Sequence, residues 1–203
     1  MPCEPFRSAD GTVTGILCTR RGKRAKCGSC GAPCDYECDF PTDKKSQTCD
    51  AKICAACSLH IVGRQMSIGG GLYKPDSYDF CKTHQPFVFH HEGKLIYVAN
   101  SRNLKDGELV DRTTPLGNPY KLEGEDTPTA RAAVIEQYRQ HLWRELQNPA
   151  SAASQDLSKL REIWLENGSL ILRCWCTPRA CHGQVIARAL IWQVTTQQQT
   201  TAA

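Results

Sequence analysis

Cys27-Gly28-Ser29-Cys30, Cys54-Ala55-Ala56-Cys57 and Cys81-Lys82-Thr83-His84, together with Cys38 and Cys49, decide how the first half of this chain folds. They make four pairs of groups able to ligate a metal, and ten of the chain's thirteen cysteines lie in its first 81 residues. A tetrahedral ion takes four soft or borderline ligands, and two ligands on a tight knuckle supply half of one site. Four half-sites make two closed sites, and the spacing suits two structural zinc ions. Two pairings satisfy it: neighbouring pairs can chelate in sequence, or alternate pairs can interleave. Interleaving is favoured, with Cys27, Cys30, Cys54 and Cys57 on one ion and Cys38, Cys49, Cys81 and His84 on the other. The reason is that residues 31–80 carry few large apolar side chains, so crossed metal links would hold them compact.

Cys34 lies four residues from both Cys30 and Cys38 and is an alternative ligand in place of Cys38. Cys18 ends an apolar stretch from Thr12 and reads as a packed strand residue; Cys3 is a spare thiol. His60, His90 and His91 have no partner at knuckle spacing and read as solvated or packed. Disulfides are the competing reading. No N-terminal stretch resembles a secretory signal and no apolar run reaches transmembrane length, which leads us to expect a cytoplasmic chain with reduced thiols and no membrane partner. Closed four-ligand sites leave no position for water, so these ions are expected to be structural. Binding of one such ion contributes roughly 10–16 kcal/mol of apparent folding free energy.

Arg20-Arg21-Gly22-Lys23-Arg24-Ala25-Lys26 places five cations in seven residues just before the first knuckle. It reads either as a contact to a phosphate backbone or as a solvated loop offsetting thiolate charge. The net charge of +4 is small for a dedicated nucleic-acid binder. Residues 1–92 are read as the Cys-rich module and 93–194 as a second domain. The polar repeat from Thr195 to Ala203 is expected to be disordered, and Gly69-Gly70-Gly71 to be a flexible turn.

The second domain reads as α/β. Leu95 to Ala99 and Ser169 to Cys174 are apolar runs of strand length, and Glu108-Leu109-Val110 is a weaker one. Helices are expected from about Pro128 to Gln147, from the Asn148–Ser154 linker to Gly168, and from about Arg179 to Val194. Their inward stripes are Ile135, Tyr138, Leu142 and Leu146; Leu157, Leu160 and Trp164; and Val185, Ile186, Ala189 and Leu190. This order fits a small three-layer Rossmann-like domain with a largely parallel sheet, whose ligands gather beyond the carboxyl ends of the strands.

Two motifs sit at those ends. Arg112, Asn118 and Arg131 can together hold a phosphate or carboxylate, Arg131 from the first turn of a helix. The alternative is structural: an arginine bridge to Asp111, Glu125 or Asp126, with Asn118 fixing a turn. The second motif is Cys174-Trp175-Cys176-Thr177-Pro178-Arg179-Ala180-Cys181-His182-Gly183. Cys181 or Cys176 is a candidate nucleophile with His182 as base; the group can instead bind a third metal or pack a tight turn. Asp111 or Glu108 is a candidate general acid or base beside the loop.

Arg112-Thr113-Thr114-Pro115-Leu116-Gly117-Asn118-Pro119-Tyr120, Arg131 with Ile135 and Tyr138, and the Leu172 to Gly183 block resemble the domain-of-unknown-function family forty-three twenty-six. That resemblance covers residues 95–193 and implies a small α/β domain in a bacteriophage or bacterial setting, without supplying a reaction. The knuckle series is similar to zinc modules of phage proteins, which usually carry a small residue where this chain has Cys34. The leading expectation is an α/β domain that binds or processes a nucleotide or nucleic-acid base. The alternatives are a non-enzymatic protein that grips a host protein or nucleic acid, possible in anti-defence, and a nucleotide-sequestering protein. There is no P-loop, no G-x-G-x-x-G and no zinc-deaminase signature.

Overall fold

A computed structural model describes residues 3–7, 13–18, 25–42, 48–62, 66–68, 71–73, 77–102, 104 and 106–201. Cations 20–24 of the basic run, and Gly69 and Gly70, lie outside these. The elements are β1 (Cys3–Arg7), β2 (Val13–Cys18), β3 (Tyr36–Glu37), β4 (Lys52–Ile53), β5 (Leu59–Val62), β6 (Met66–Ile68), β7 (Gly71–Tyr73), β8 (Ser77–Phe80), β9 (Phe87–His91), β10 (Lys94–Asn100), β11 (Glu108–Leu109), α1 (Pro128–Leu146), α2 (Ala152–Asn167), β12 (Ser169–Cys174) and α3 (Gly183–Thr201).

The principal sheet has the order β11-β12-β10-β9. β12 runs parallel to both β10 and β11, and β9 is antiparallel to β10. Side chains alternate across it, as successive strand residues must. Ile96, Val98, Leu170, Leu172 and Cys174 face a core shared with Tyr138 and Leu142 of α1, Leu157 and Trp164 of α2, and Ile186 and Leu190 of α3. Ala99 and Ile171 instead join Ile61, Tyr78, Phe80 and Leu104 in a second core. The chain is therefore a mixed α/β structure, layered as helices, sheet and the β5–β8 hairpin. The second face of the sheet is met by the Cys-rich half, an arrangement that the Rossmann-like expectation did not contain.

The division expected between residues 92 and 93 falls in a hairpin turn: β9 and β10 pair on either side of it, and Glu92 and Gly93 have φ of 47° and 76°. Positive φ at both central residues is what a two-residue hairpin turn requires. Residues 31–80 likewise hold more core than expected, because Ile53, Ile61 and Phe80 are each 1% exposed.

The helices begin and end where their caps dictate. Thr127 accepts a hydrogen bond from the Ala130 amide at 3.2 Å and Pro128 opens α1. Ser151 caps α2, and Gly168 ends it in the left-handed region at φ 71°. α3 starts at Gly183 rather than Arg179 and continues to Thr201, so most of the tail expected to be disordered is helical. Among the described residues no helix is long and apolar enough to cross a membrane.

Candidate functional site

Two groups of side chains converge in the Cys-rich half. Cys27, Cys30, Cys54 and Cys57 form one, and Cys38, Cys49, Cys81 and His84 the other; within each, all ligand atoms lie within 4.8 Å of one another. The pairing is the interleaved one. It follows from β3 and β4: the Asp35 amide bonds the Ile53 carbonyl at 3.0 Å and the Cys38 amide bonds the Ala51 carbonyl at 3.0 Å, drawing the two knuckles together. Each knuckle is a tight turn, with Gly31 N–H donating to the Cys27 carbonyl at 2.8 Å and Cys57 N–H to the Cys54 carbonyl at 2.9 Å. Cys34 belongs to neither group; its amide bonds the Ala25 carbonyl at 2.9 Å.

The donor chemistry fits a thiolate-seeking cation. Sulfurs this close resist ionising together: contacts with Cys30 and Cys54, then burial, push the Cys57 thiol up to about 12. Burial likewise raises Cys38 to about 12. A bound cation removes that conflict by taking the protons' place. Nδ1 of His84 stands 3.4 Å from Cys81 Sγ and 3.7 Å from Cys38 Sγ, and burial favours its neutral, ligating form. Phe40 stacks on the His84 ring at 4.2 Å and sets its orientation. His60 is held apart by Asp79 at 3.0 Å.

The second site is a cavity of about 420 Å³. Asp111, Arg112, Thr113, Asn118, Tyr120, Arg131, Cys174, Trp175, Cys176, Cys181 and His182 all line it. Its walls come from the segments after β11 and β12 and from the starts of α1 and α3, which places it beyond the carboxyl ends of the parallel strands. Three contacts set the walls. Asn100, the last residue of β10, donates from Nδ2 to the Thr177 carbonyl at 2.6 Å and the Trp175 carbonyl at 3.3 Å. The Tyr138 hydroxyl donates to the Leu116 carbonyl at 2.7 Å, pinning the proline loop to α1. Gly117 packs so close that a Cβ there would meet the Asp111 carbonyl oxygen at 2.1 Å.

All the candidates on this half except Glu108 meet here, but several have local duties. Arg112 donates from Nε to the Asn118 carbonyl at 3.0 Å and from a terminal nitrogen to the Tyr120 carbonyl at 2.9 Å. Asn118 is buried, and its Oδ1 accepts from the Tyr120 amide at 2.9 Å, fixing the turn. Arg131 forms a two-point pair with Asp126 at 3.0 and 2.5 Å and also reaches the Ala180 carbonyl at 3.2 Å. Glu108 lines a separate hollow with Thr114 and Arg173.

Asp111 accepts from the Thr113 amide and hydroxyl at 2.9 and 2.6 Å and from the Trp175 indole at 3.0 Å. These bonds, Thr113 first, hold its carboxyl below the usual range, so it stands as a fixed anion rather than a proton donor. His182 is buried, which lowers its basicity, and its Nε2 lies 2.5 Å from the Val110 carbonyl. A carbonyl accepts only, so Nε2 carries the proton and Nδ1 is left facing Cys174 Sγ at 3.7 Å. The imidazole therefore orients Cys174 and offers no base to Cys181.

The cysteines differ sharply. Cys181 and Cys174 are each 1% exposed. Cys176 is half-buried and opens on the cavity. The Cys174 thiol beside it, and then the Arg131 and Arg112 guanidinium groups, hold the Cys176 thiol down to about 6 against the opposing effect of burial. Together with His182 they do not close into a third metal-suited group among the described residues. Trp175, half-exposed over this wall, is a site residue that the sequence reading passed over. Its motif carries no periodicity that separates an exposed indole from a packed one.

Residues 96–192 match the family model described as Domain of unknown function (DUF4326). The matched region runs from within β10 to within α3 and holds the whole cavity wall, and it leaves out both metal-suited clusters. No curated protein and no solved structure matches this chain. The matched description carries no reaction, and the chemistry rests on the side chains described above.

Proposed function

We propose that the strand-end cavity binds a nucleotide or nucleobase, and that two zinc ions hold the Cys-rich half as a structural cover on the sheet. The observation that carries the ligand reading is the convergence of a half-exposed indole, two guanidinium groups and a fixed turn on one cavity of about 420 Å³. That volume suits a ligand of nucleotide size. Trp175 offers a face on which a base can stack, an interaction of about 1–3 kcal/mol per base. Arg112 bonds only neutral carbonyls in the contacts described above, so its positive charge is free to attract a phosphate. Arg131 contributes less, because Asp126 already answers its charge.

The zinc part of the reading rests on donor type: four thiols in one group, three thiols and an imidazole in the other. Such sets are closed and structural. The ligand part is tested by thermal shift with nucleotides, nucleosides and free bases on the intact protein. A binder at a hundred times its Kd contributes about 2.7 kcal/mol, a shift of about 5–11 °C for a chain of this size. Trp175→Ala is expected to abolish that shift without changing the melting point of the free protein by more than about 2 °C. If none of these compounds raises the melting point, the ligand reading is wrong.

One observation favours a partner-gripping role instead. Trp143 and Trp192 pack edge to face at 5.2 Å on α1 and α3 while remaining half-exposed, and aromatic side chains of this kind anchor interfaces. That patch lies on the helices, away from the Cys-rich half where such a surface was expected.

A further inference from the structure

We propose that Cys176 is the nucleophile of the strand-end cavity, forming a covalent carbon–sulfur bond with an electrophilic carbon of the ligand held there. This rests on the reading of the cavity as a ligand site, and it adds a reaction class to it. Three features of the geometry point to it. Cys176 is the half-buried member of a three-cysteine cluster whose other members, Cys174 and Cys181, are sealed. It lines the cavity together with Arg112 and Arg131, whose positive charges favour a thiolate over a thiol. Arg131 is itself anchored at three points, to both oxygens of Asp126 and to the Ala180 carbonyl, so its charge stays in place.

Activation here is electrostatic. His182 presents its Nε2 proton to Val110 and its Nδ1 to Cys174, so it is not the base for Cys176. Contacts to Cys176 and Cys181, together with burial, keep Cys174 protonated, and its one S–H faces His182 Nδ1. In the proposed step a sulfur lone pair forms the C–S bond with an electron-poor ring carbon of a base lying against Trp175. One ring π bond breaks, and the adjacent ring atom takes a proton from water. No oxidant or reductant is needed.

Iodoacetamide reads the nucleophile independently of the native ligand: sulfur displaces iodide, one C–S bond forming as one C–I bond breaks. A low-pKa thiolate gains in ionised fraction but loses intrinsic reactivity, with a Brønsted slope of about 0.4–0.5. For a thiol near 6 against a free cysteine near 8.5, the net advantage is only about twofold at pH 7 but about tenfold at pH 6. The alkylation of the metal-loaded protein is therefore followed at pH 6 by peptide mass spectrometry, with an unstructured cysteine-containing peptide as the reference. Cys176 is expected to react about tenfold faster than the reference, with a rate midpoint near 6. Arg131→Gln is expected to move that midpoint upward, and Arg131→Lys to restore most of it.

Reaction of Cys176 at or below the reference rate, or an unshifted midpoint in both arginine variants, overturns the proposal. Should Arg131→Gln lose its fold, Asp126→Asn serves instead, and it is expected to lower the midpoint by freeing the guanidinium charge. Protection by nucleotides separates the two readings. Rapid alkylation that no nucleotide slows refutes the ligand assignment and leaves the nucleophile standing; slow alkylation in a protein that nucleotides do stabilise refutes the nucleophile alone.

Discussion

Phe80→Ala strikes the contact between the two halves of the chain. Phe80 is 1% exposed and packs with Ile61, Tyr78, Ala99, Leu104 and Ile171, so its ring stands between the β5–β8 hairpin and the second face of the sheet. Truncating a fully buried phenylalanine costs about 3–5 kcal/mol, as the lost transfer free energy plus the cavity left behind. A urea slope of about 2–3 kcal/mol/M turns that into a fall of about 1–2 M in the unfolding midpoint. The assay is intrinsic fluorescence, and it is unusually discriminating here. All four tryptophans, Trp143, Trp164, Trp175 and Trp192, lie in the second half, and Trp164 is fully buried beneath the helices. A truncation at residue 80 can move their transition only if both halves unfold as one cooperative unit. A tryptophan transition left at its original midpoint would refute the shared core.

Three further outcomes follow from the cavity walls. Gly117→Ala is expected to destroy the turn, because its Cβ would lie 2.1 Å from the Asp111 carbonyl oxygen and 2.5 Å from the Arg112 Cα; thermal melting should fall and ligand binding should vanish. Tyr138→Phe leaves the Leu116 carbonyl without its donor, at a cost of about 1–3 kcal/mol, which calorimetry would register as a drop of about 2–12 °C. On acidification, stability is expected to fall in two stages. Burial lowers the His182 pKa, so its contribution is complete above about 6.5 and is lost as pH falls below that; the depressed Asp111 contributes above about 3.9 and is lost lower still. His182→Gln keeps a donor for Val110 and should flatten the first stage in urea titrations from pH 7 to 5.

The four half-sites were legible because knuckle spacing is a local property: C-x-x-C closes on itself whatever surrounds it. Spacing left their grouping open, and the pairing of β3 with β4 sets it. The strand-end cavity was legible for a topological reason, since parallel strands deliver their following loops to one edge. What escaped the sequence was long-range packing. Leu59, Ile61, Tyr78 and Phe80 are too scattered to look like a core, and only the pairing of β5 with β8 brings them onto Ala99 and Ile171. Glu92-Gly93 was passed over as a turn because glutamate seldom adopts positive φ. The arginine roles were open in the sequence and divide in the structure, with Arg112 on loop carbonyls and Arg131 on Asp126.

If two ions knit the Cys-rich half into a cover for the sheet, metal analysis of the purified chain will count them. Two zinc ions per chain are predicted, unchanged in Cys34→Ser and reduced to one in Cys49→Ser, with the tryptophan-reported midpoint falling as the metal is stripped by a chelator. A count other than two, sulfurs found joined as disulfides, or a tryptophan transition indifferent to chelation would contradict it.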